Sequence, residues 1–180
     1  MSLPFTLPAV IETARLRLRP WREDDAAALF RYASDSAIGP AAGWRVHTSE
    51  ADSLEILRAV LMNDATWAVT VRDSDDAVGS VGVFPSRCTL AGGQPELGYW
   101  IARPLWGRGY IPEAVRALTA LCFDAGAAAV WCGHFPENDK SRRVIEKCGF
   151  VYQFSARRET PIGEMRNSLY YALRAEEFDD

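Results

Sequence analysis

The 180-residue chain holds only two histidines, and its four cysteines, Cys88, Cys122, Cys132 and Cys148, never fall in a C-x-x-C pair. Cys132 and His134 lie close together without further spaced partners, so no metal site is expected. The cysteines sit mostly inside apolar stretches and read as buried thiols of a reducing compartment, not as a disulfide framework. Positive charge is in deficit as well. A net charge of -4 argues against a general nucleic-acid binder, and no direct nucleic-acid partner is expected. No apolar run suits a membrane span, because the weakly polar stretch 114–133 is interrupted by Arg116, Asp124 and Gly126. The N-terminus lacks a basic start followed by an apolar core, so no secretory leader is expected and the protein reads as soluble and cytoplasmic.

What is present is apolar material, 48% of residues, enough for one full core. Residues 1–180 are therefore expected to form a single domain, with its core at about 12–175. Arg15-Leu16-Arg17-Leu18-Arg19 alternates charge and leucine, the period of a strand with its arginine face wet, and Pro20 is expected to stop it. The acidic start Glu23-Asp24-Asp25 opens a helix to about Ser34. Gly39, Pro40 and Gly43 mark a loop around Trp44 and His47, after which Thr48 or Ser49 caps a helix carrying Leu54, Leu57 and Leu61 on one face. Trp67–Val71 and Val78–Phe84 read as a hairpin across the turn Asp73–Asp76, and Glu96–Ile101 as a further strand.

A helix follows at 112–125, with Pro112 in its first turn and Gly126 at its end. A strand at 127–132, a short helix at 141–147 stopped by Gly149, and strands at 150–154 and 168–173 complete the order β-α-α-β-β-β-α-β-α-β-β. This is a mixed α/β (α+β) domain without internal repeats.

Between the strand 96–101 and the helix after it lies Trp106-Gly107-Arg108-Gly109-Tyr110-Ile111. A strand, a glycine-bearing turn and a helix start offer free backbone N–H groups and a positive dipole end, the requirements of a phosphate site. A dinucleotide fingerprint would need glycine where Pro112 stands, and a Walker A loop would need an absent Lys-Ser/Thr pair. The surroundings are locally basic. Arg103, Arg108 and Arg116 outnumber Glu113, and Lys140, Arg142, Arg143 and Lys147 outnumber Asp139 and Glu146. Coenzyme A, with a pyrophosphate and a 3′-phosphate, matches such charge.

Three segments together resemble the GCN5-related N-acetyltransferase (GNAT) superfamily, in its RimJ/RimL-like branch, over roughly residues 12–175. The strand Glu96–Ile101 is similar to the family's fourth strand. Residues 106–111 are similar to its Q/R-x-x-G-x-G/A loop, and Asn138-x-x-Ser141-x-Arg143-Val144-x-Glu146-Lys147-x-Gly149-Phe150 to its last motif. The chain departs from the pattern in carrying Trp106 for Gln or Arg, Ile111 for Gly or Ala, and Ile145 where many members have a tyrosine acting as general acid. The resemblance implies a GNAT fold: a mixed, mostly antiparallel central sheet of about seven strands flanked by about four helices. It implies acetyl-CoA as co-substrate, without metal, and a primary amine as acceptor, on a protein N-terminus or a small molecule.

The implied reaction is direct attack of a neutral amine on the acetyl thioester. An α-amine, with a pKa of about 7.7–8.0 against about 10.4 for lysine, needs the weaker base. Glu96 is the candidate base, acting directly or through water; its alternative is an exposed strand-end carboxylate. Ser141 is the candidate donor to the cofactor sulfur, and its alternative is helix capping. Asn138 either bonds the pantetheine arm or the acceptor, or caps the same helix. A backbone N–H at Trp100 or Ile101 is expected at the oxyanion. The amides of Gly107, Arg108, Gly109, Tyr110 and Ile111, introduced by Trp106, are expected at the pyrophosphate. Tyr99, Trp100 and Tyr110 are candidates for the acyl channel, with core packing as the other reading, and Trp100 and Tyr110 border this loop. Trp44 and His47 are candidates for the acceptor pocket, with a surface histidine as the other reading. A non-catalytic CoA-binding regulatory module stands beside the enzyme as the alternative function, and a monomer or homodimer is expected.

Overall fold

In a computed structural model, which describes residues 3–86 and 88–178, the alternating apolar pattern becomes one eight-stranded sheet. The strands are β1 (Ile11–Glu12), β2 (Leu16–Pro20), β3 (Thr66–Val71), β4 (Gly79–Pro85), β5 (Pro95–Ile101), β6 (Ala129–His134), β7 (Val151–Glu159) and β8 (Met165–Arg174). They lie in the order β1-β2-β3-β4-β5-β6-β8-β7, antiparallel except where β5 meets β6. The helices are α1 (Ala26–Ala33), α2 (Gly39–Ala42), α3 (Glu50–Ile56), α4 (Tyr110–Asp124) and α5 (Asp139–Lys147). The architecture is the expected mostly antiparallel sheet with helices on both faces. It gains the two-residue β1 and the single-turn α2, both too short to show periodicity.

One face of the sheet carries α4 and α5. Ile111, Ala114, Val115, Leu118 and Cys122, at helical spacing, bury against Leu16, Leu18, Val69, Val81, Val83, Leu97 and Ile101, and Ile145 of α5 joins them. Burying so many side chains, at about 1.5–3 kcal/mol each, makes this the main core. The other face takes α1 and α3, where Trp21, Leu29, Ala33 and Leu57 close over Ala68 and Trp100. Ser49 caps α3, its hydroxyl accepting from the Asp52 amide at 3.0 Å.

Pro20 ends β2 as expected, being its last residue and paired opposite Trp67. One local expectation is corrected. Arg19 is not on a wet face: it is buried, and its fork reaches Asp25 at 2.7 Å and Asp75 at 2.8 Å. Only a paired guanidinium can be buried there.

Candidate active site

The parallel ladder between β5 and β6 joins only Glu96 to Trp131 and Leu97 to Cys132. Beyond Leu97 the strands part, and the sheet opens along Gly98–Ile101. The register fixes which main-chain groups face this opening. Ala102 donates to Val78 O of the β4 side at 2.7 Å, and main-chain direction alternates along a strand. The N–H groups of Trp100 and Gly98 therefore turn to β4, and those of Ile101 and Tyr99 turn to the opening.

Helices α4 and α5 both begin at the mouth. The loop before α4 meets the first turn of α5: the Trp106 indole N–H donates to Ile101 O at 2.9 Å, and the Lys140 ammonium lies 4.6 Å from the centroid of the Trp106 ring. Gly107 and Gly109 have φ of 77° and 78°, the left-handed region that glycine enters without steric cost. Among the described residues, none accepts a main-chain hydrogen bond from the amides of 107–111, and Pro112 has no N–H to give. The bulk of Ile111 is turned into the core, where it is buried, so this departure from the glycine or alanine pattern does not crowd the loop. The Tyr110 ring is covered by the Arg15 guanidinium, 4.8 Å from its centroid. Arg108, Lys140 and Arg143 have no carboxylate partner among the described residues, whereas Arg142 is shared by Asp139 and Glu146.

In the last motif, Asn138 caps α5, its Oδ1 accepting from the Ser141 amide at 3.1 Å, while its Nδ2 donates to Ala41 O of α2 at 2.9 Å. Ser141 is thus not the cap. Its hydroxyl lies 3.0 Å from the Tyr99 phenol, whose single proton is within reach of Ser141 Oγ and, at 3.3 Å, of Ser141 O. Burial pushes the Tyr99 phenol well above its ordinary value, so it stays protonated. Ile145, at the position where the resemblance implied a tyrosine, is fully buried in the core.

Alternation along β5 sends Leu97, Tyr99 and Ile101 to the α4 face and Glu96, Gly98 and Trp100 to the other. Glu96 is therefore buried rather than exposed, accepting from the Ser86 hydroxyl at 2.6 Å with Arg158 3.7 Å away. On the same face the Trp100 ring meets Trp44 edge-on at 6.1 Å, and His47 lies 5.3 Å from Trp44. His47 is buried, with Nδ1 2.8 Å from the Ser53 hydroxyl, and burial lowers its pKa. Glu96 and Ser141, the two candidate catalytic residues, thus stand on opposite faces of the sheet, Glu96 within the paired rungs that precede the opening.

Tyr99, an acyl-channel candidate by sequence, bonds Ser141 instead. Sequence reasoning misses Arg15 and Arg158, which reach the site through contacts far apart in the chain. His134 is committed to Phe135 O at 2.8 Å and lies 3.3 Å from the Tyr171 hydroxyl. No cluster of three or more potential metal ligands occurs among the described residues. Nor is any helix there long and apolar enough to cross a membrane.

Residues 15–151 match the family profile of the Acetyltransferase (GNAT) domain. The chain is 25% identical over 147 residues to the uncharacterized N-acetyltransferase YoaA of Bacillus subtilis, covering 78% of this chain and 82% of that one. A GNAT-family acetyltransferase structure from Bacillus anthracis superposes with a TM-score of 0.78 at 23% identity, over 93% of this chain and 99% of the other. Mycobacterium smegmatis RimJ, solved in complex with CoA-disulfide, gives 0.70 at 23% identity, over 92% and 84%. With its motifs, its parted parallel strands and a profile match over most of its length, this chain belongs to the GNAT acetyltransferase family.

Proposed function

We propose that this acetyltransferase uses acetyl-CoA as acyl donor and passes the acetyl group directly to a primary amine, either a protein N-terminal α-amine or a small-molecule amine. The observation that carries the reading is the run of amides at 107–111, without intramolecular main-chain acceptors among the described residues, at the positive end of a 15-residue helix. Arg108, Lys140 and Arg143 add cationic charge for the pyrophosphate and 3′-phosphate. RimJ, similar in fold, holds a CoA disulfide in its own structure.

Bound acetyl-CoA supplies an acyl thioester; the chain supplies the rest. The Ile101 amide, facing the opening, is the donor for the oxyanion. Glu96 takes the proton that the attacking amine loses, directly or through water, from the face lined by Trp100, Trp44 and His47. Ser141 donates a hydrogen bond to the departing sulfur as the carbon–sulfur bond breaks. Direct transfer is favoured over a cysteine-bound acyl enzyme, because burial pushes the Cys122 thiol up to about 12 and Cys148 to about 11, with Cys132 higher than its ordinary value as well. At pH 7 roughly a tenth of an α-amine is neutral, against fewer than about one in a thousand lysines, so a single buried carboxylate suits the α-amine better.

The absence of a phenol on α5 favours a second reading, a CoA-binding module without turnover. Calorimetry with acetyl-CoA, combined with thiol release over a panel of peptide N-termini and small amines, separates the two. Binding with thiol release supports the enzyme. Tight binding without release from any amine supports the module, and no binding of acetyl-CoA or another acyl-CoA overturns both.

A further inference from the structure

The loop 106–111 has two left-handed glycines and no side chain of its own that anchors Gly107 or Gly109, so something else must hold its amides in place. The structure shows what does. Arg15, on the connection between β1 and β2, donates from Nη1 to Arg108 O at 2.9 Å and from Nε to Glu113 Oε2 at 2.6 Å. Its guanidinium also covers the Tyr110 ring at 4.8 Å, and its terminal nitrogen is the atom a Cβ on Gly109 would meet, at 3.5 Å. Glu113 is gripped in turn from the main chain of Arg15 at 2.8 Å and from the Thr13 hydroxyl at 2.6 Å. Thr13 is itself fixed by the Leu16 amide at 3.0 Å, at the first residue of β2. An edge of the sheet, 93–98 residues away in sequence, is therefore bonded to both sides of the loop's second glycine.

We propose that Arg15 is the positioning residue of the phosphate-binding loop, its planar fork holding the main chain of Arg108–Tyr110 so that the amides of 107–111 converge before the ligand arrives. The proposal rests on the reading of that loop as the pyrophosphate site. Two effects follow from the geometry. A glycine loop held in its bound form loses less conformational entropy on binding, which raises affinity without a new contact to the ligand. Glu113, a carboxylate in the first turn of α4, would otherwise repel a pyrophosphate; paired with Arg15 its charge is cancelled where the anion must sit. Burial acts to raise the Glu113 pKa, and the bonds from Thr13 and Arg15 outweigh it, so the group is ionised and the pair is an ion pair.

The test compares Arg15→Gln and Arg15→Lys with the wild type, using CoA as the probe, calorimetry for its Kd and hydrogen exchange of the ligand-free loop. In both variants the Kd is expected to rise about tenfold, the loss of about one well-placed charged hydrogen bond. Exchange of the 106–113 amides is expected to quicken while that of the buried middle of α4 stays slow. A lysine keeps the charge but cannot bridge Glu113 and Arg108 O while lying flat on Tyr110. Wild-type affinity in Arg15→Lys would reduce the residue to a distant charge and overturn the proposal. So would an unchanged Kd in Arg15→Gln, or exchange that quickens equally throughout the sheet. If Arg15→Gln does not fold, the lysine variant carries the same comparison. Gly109→Val separates the two levels. If that variant also binds CoA normally, the loop reading itself fails; if it weakens CoA while both Arg15 variants do not, only the clamp fails.

Discussion

The hydroxyls of Tyr99 and Ser141 lie 3.0 Å apart, linking β5 to the first turn of α5 on the face opposite Glu96. A phenol that donates to Ser141 Oγ leaves the serine proton free for the cofactor sulfur and polarises it. Because burial holds the Tyr99 phenol far above its ordinary value, it acts as a hydrogen-bond donor and not as the source of the proton. Ser141→Ala is expected to lower kcat by about tenfold to a hundredfold, the scale of losing one hydrogen bond to a charged group, and Tyr99→Phe by less. The double variant should be no slower than Ser141→Ala alone, because Tyr99 works through the serine. Steady-state kinetics on all three proteins checks this, and independent, multiplicative losses would refute it.

Glu96 makes a separate prediction, since its task is to take a proton that only a charged amine retains. Glu96→Gln should lower kcat/KM by about a hundredfold near pH 7, with the deficit shrinking as pH rises and the amine becomes neutral unaided. The shrinkage should begin at lower pH for an α-amine than for a lysine-type amine. A deficit that is constant from pH 7 to about 9.5 would assign the carboxylate a structural role with Ser86 and Arg158 instead.

Both predictions rest on residues that short local patterns in the chain reveal, while their surroundings are not revealed. Glu96 and Ser141 were legible because each sits in a short local pattern, a strand of alternating residues and a capped amphipathic helix. So were the hairpin of β3 and β4 and the glycine loop, whose demands are met within a few residues. The carboxylate's burial was not legible, because Ser86 and Arg158 reach it from just beyond the end of β4 and from β7. Arg19 misled for the same reason: a period of two puts it on the wet face, and the fork to Asp25 and Asp75 overrides the period. The short α2 is held by Asn138 and Arg166 from distant elements, donating to Ala41 O and Pro40 O. Its sequence, Gly39-Pro40-Ala41-Ala42, carries no periodic signal.

His47 links the acceptor face to stability. Burial is the main cause lowering its pKa, opposed by Asp52 and assisted by Arg45. The unfolded chain then binds the proton first as pH falls, so the contribution of His47 is complete above its unfolded value of about 6.5 and is lost as pH drops through the lower folded value. Asp52, held far below the ordinary carboxylate range chiefly by Arg45 and the Thr48 amide, stays ionised throughout this window. The melting temperature should fall between about pH 7 and 5, and His47→Gln, which keeps a partner for Ser53 without titrating, should flatten that fall. Parallel curves for the two proteins would place the pH sensitivity elsewhere.

Asn138 joins the cofactor side to the acceptor side, and its two polar atoms can be tested apart. Oδ1 caps α5 through the Ser141 amide, and Nδ2 holds Ala41 O, three residues before Trp44. Asn138→Asp keeps a good cap and a favourable charge at the helix start, but places an acceptor against the Ala41 carbonyl. Its melting temperature should stay near wild type, while the KM for whichever amine the panel shows to be fastest rises several-fold, because α2 loses its tether beside the Trp44–Trp100 wall. Asn138→Ala loses both bonds, so it should add a stability cost of about 1 kcal/mol from the lost cap. Thermal melts and acceptor kinetics on the pair give the answer. Equal acceptor KM in wild type and the aspartate variant would mean that α2 does not shape the acceptor site, and that Asn138 serves the helix alone.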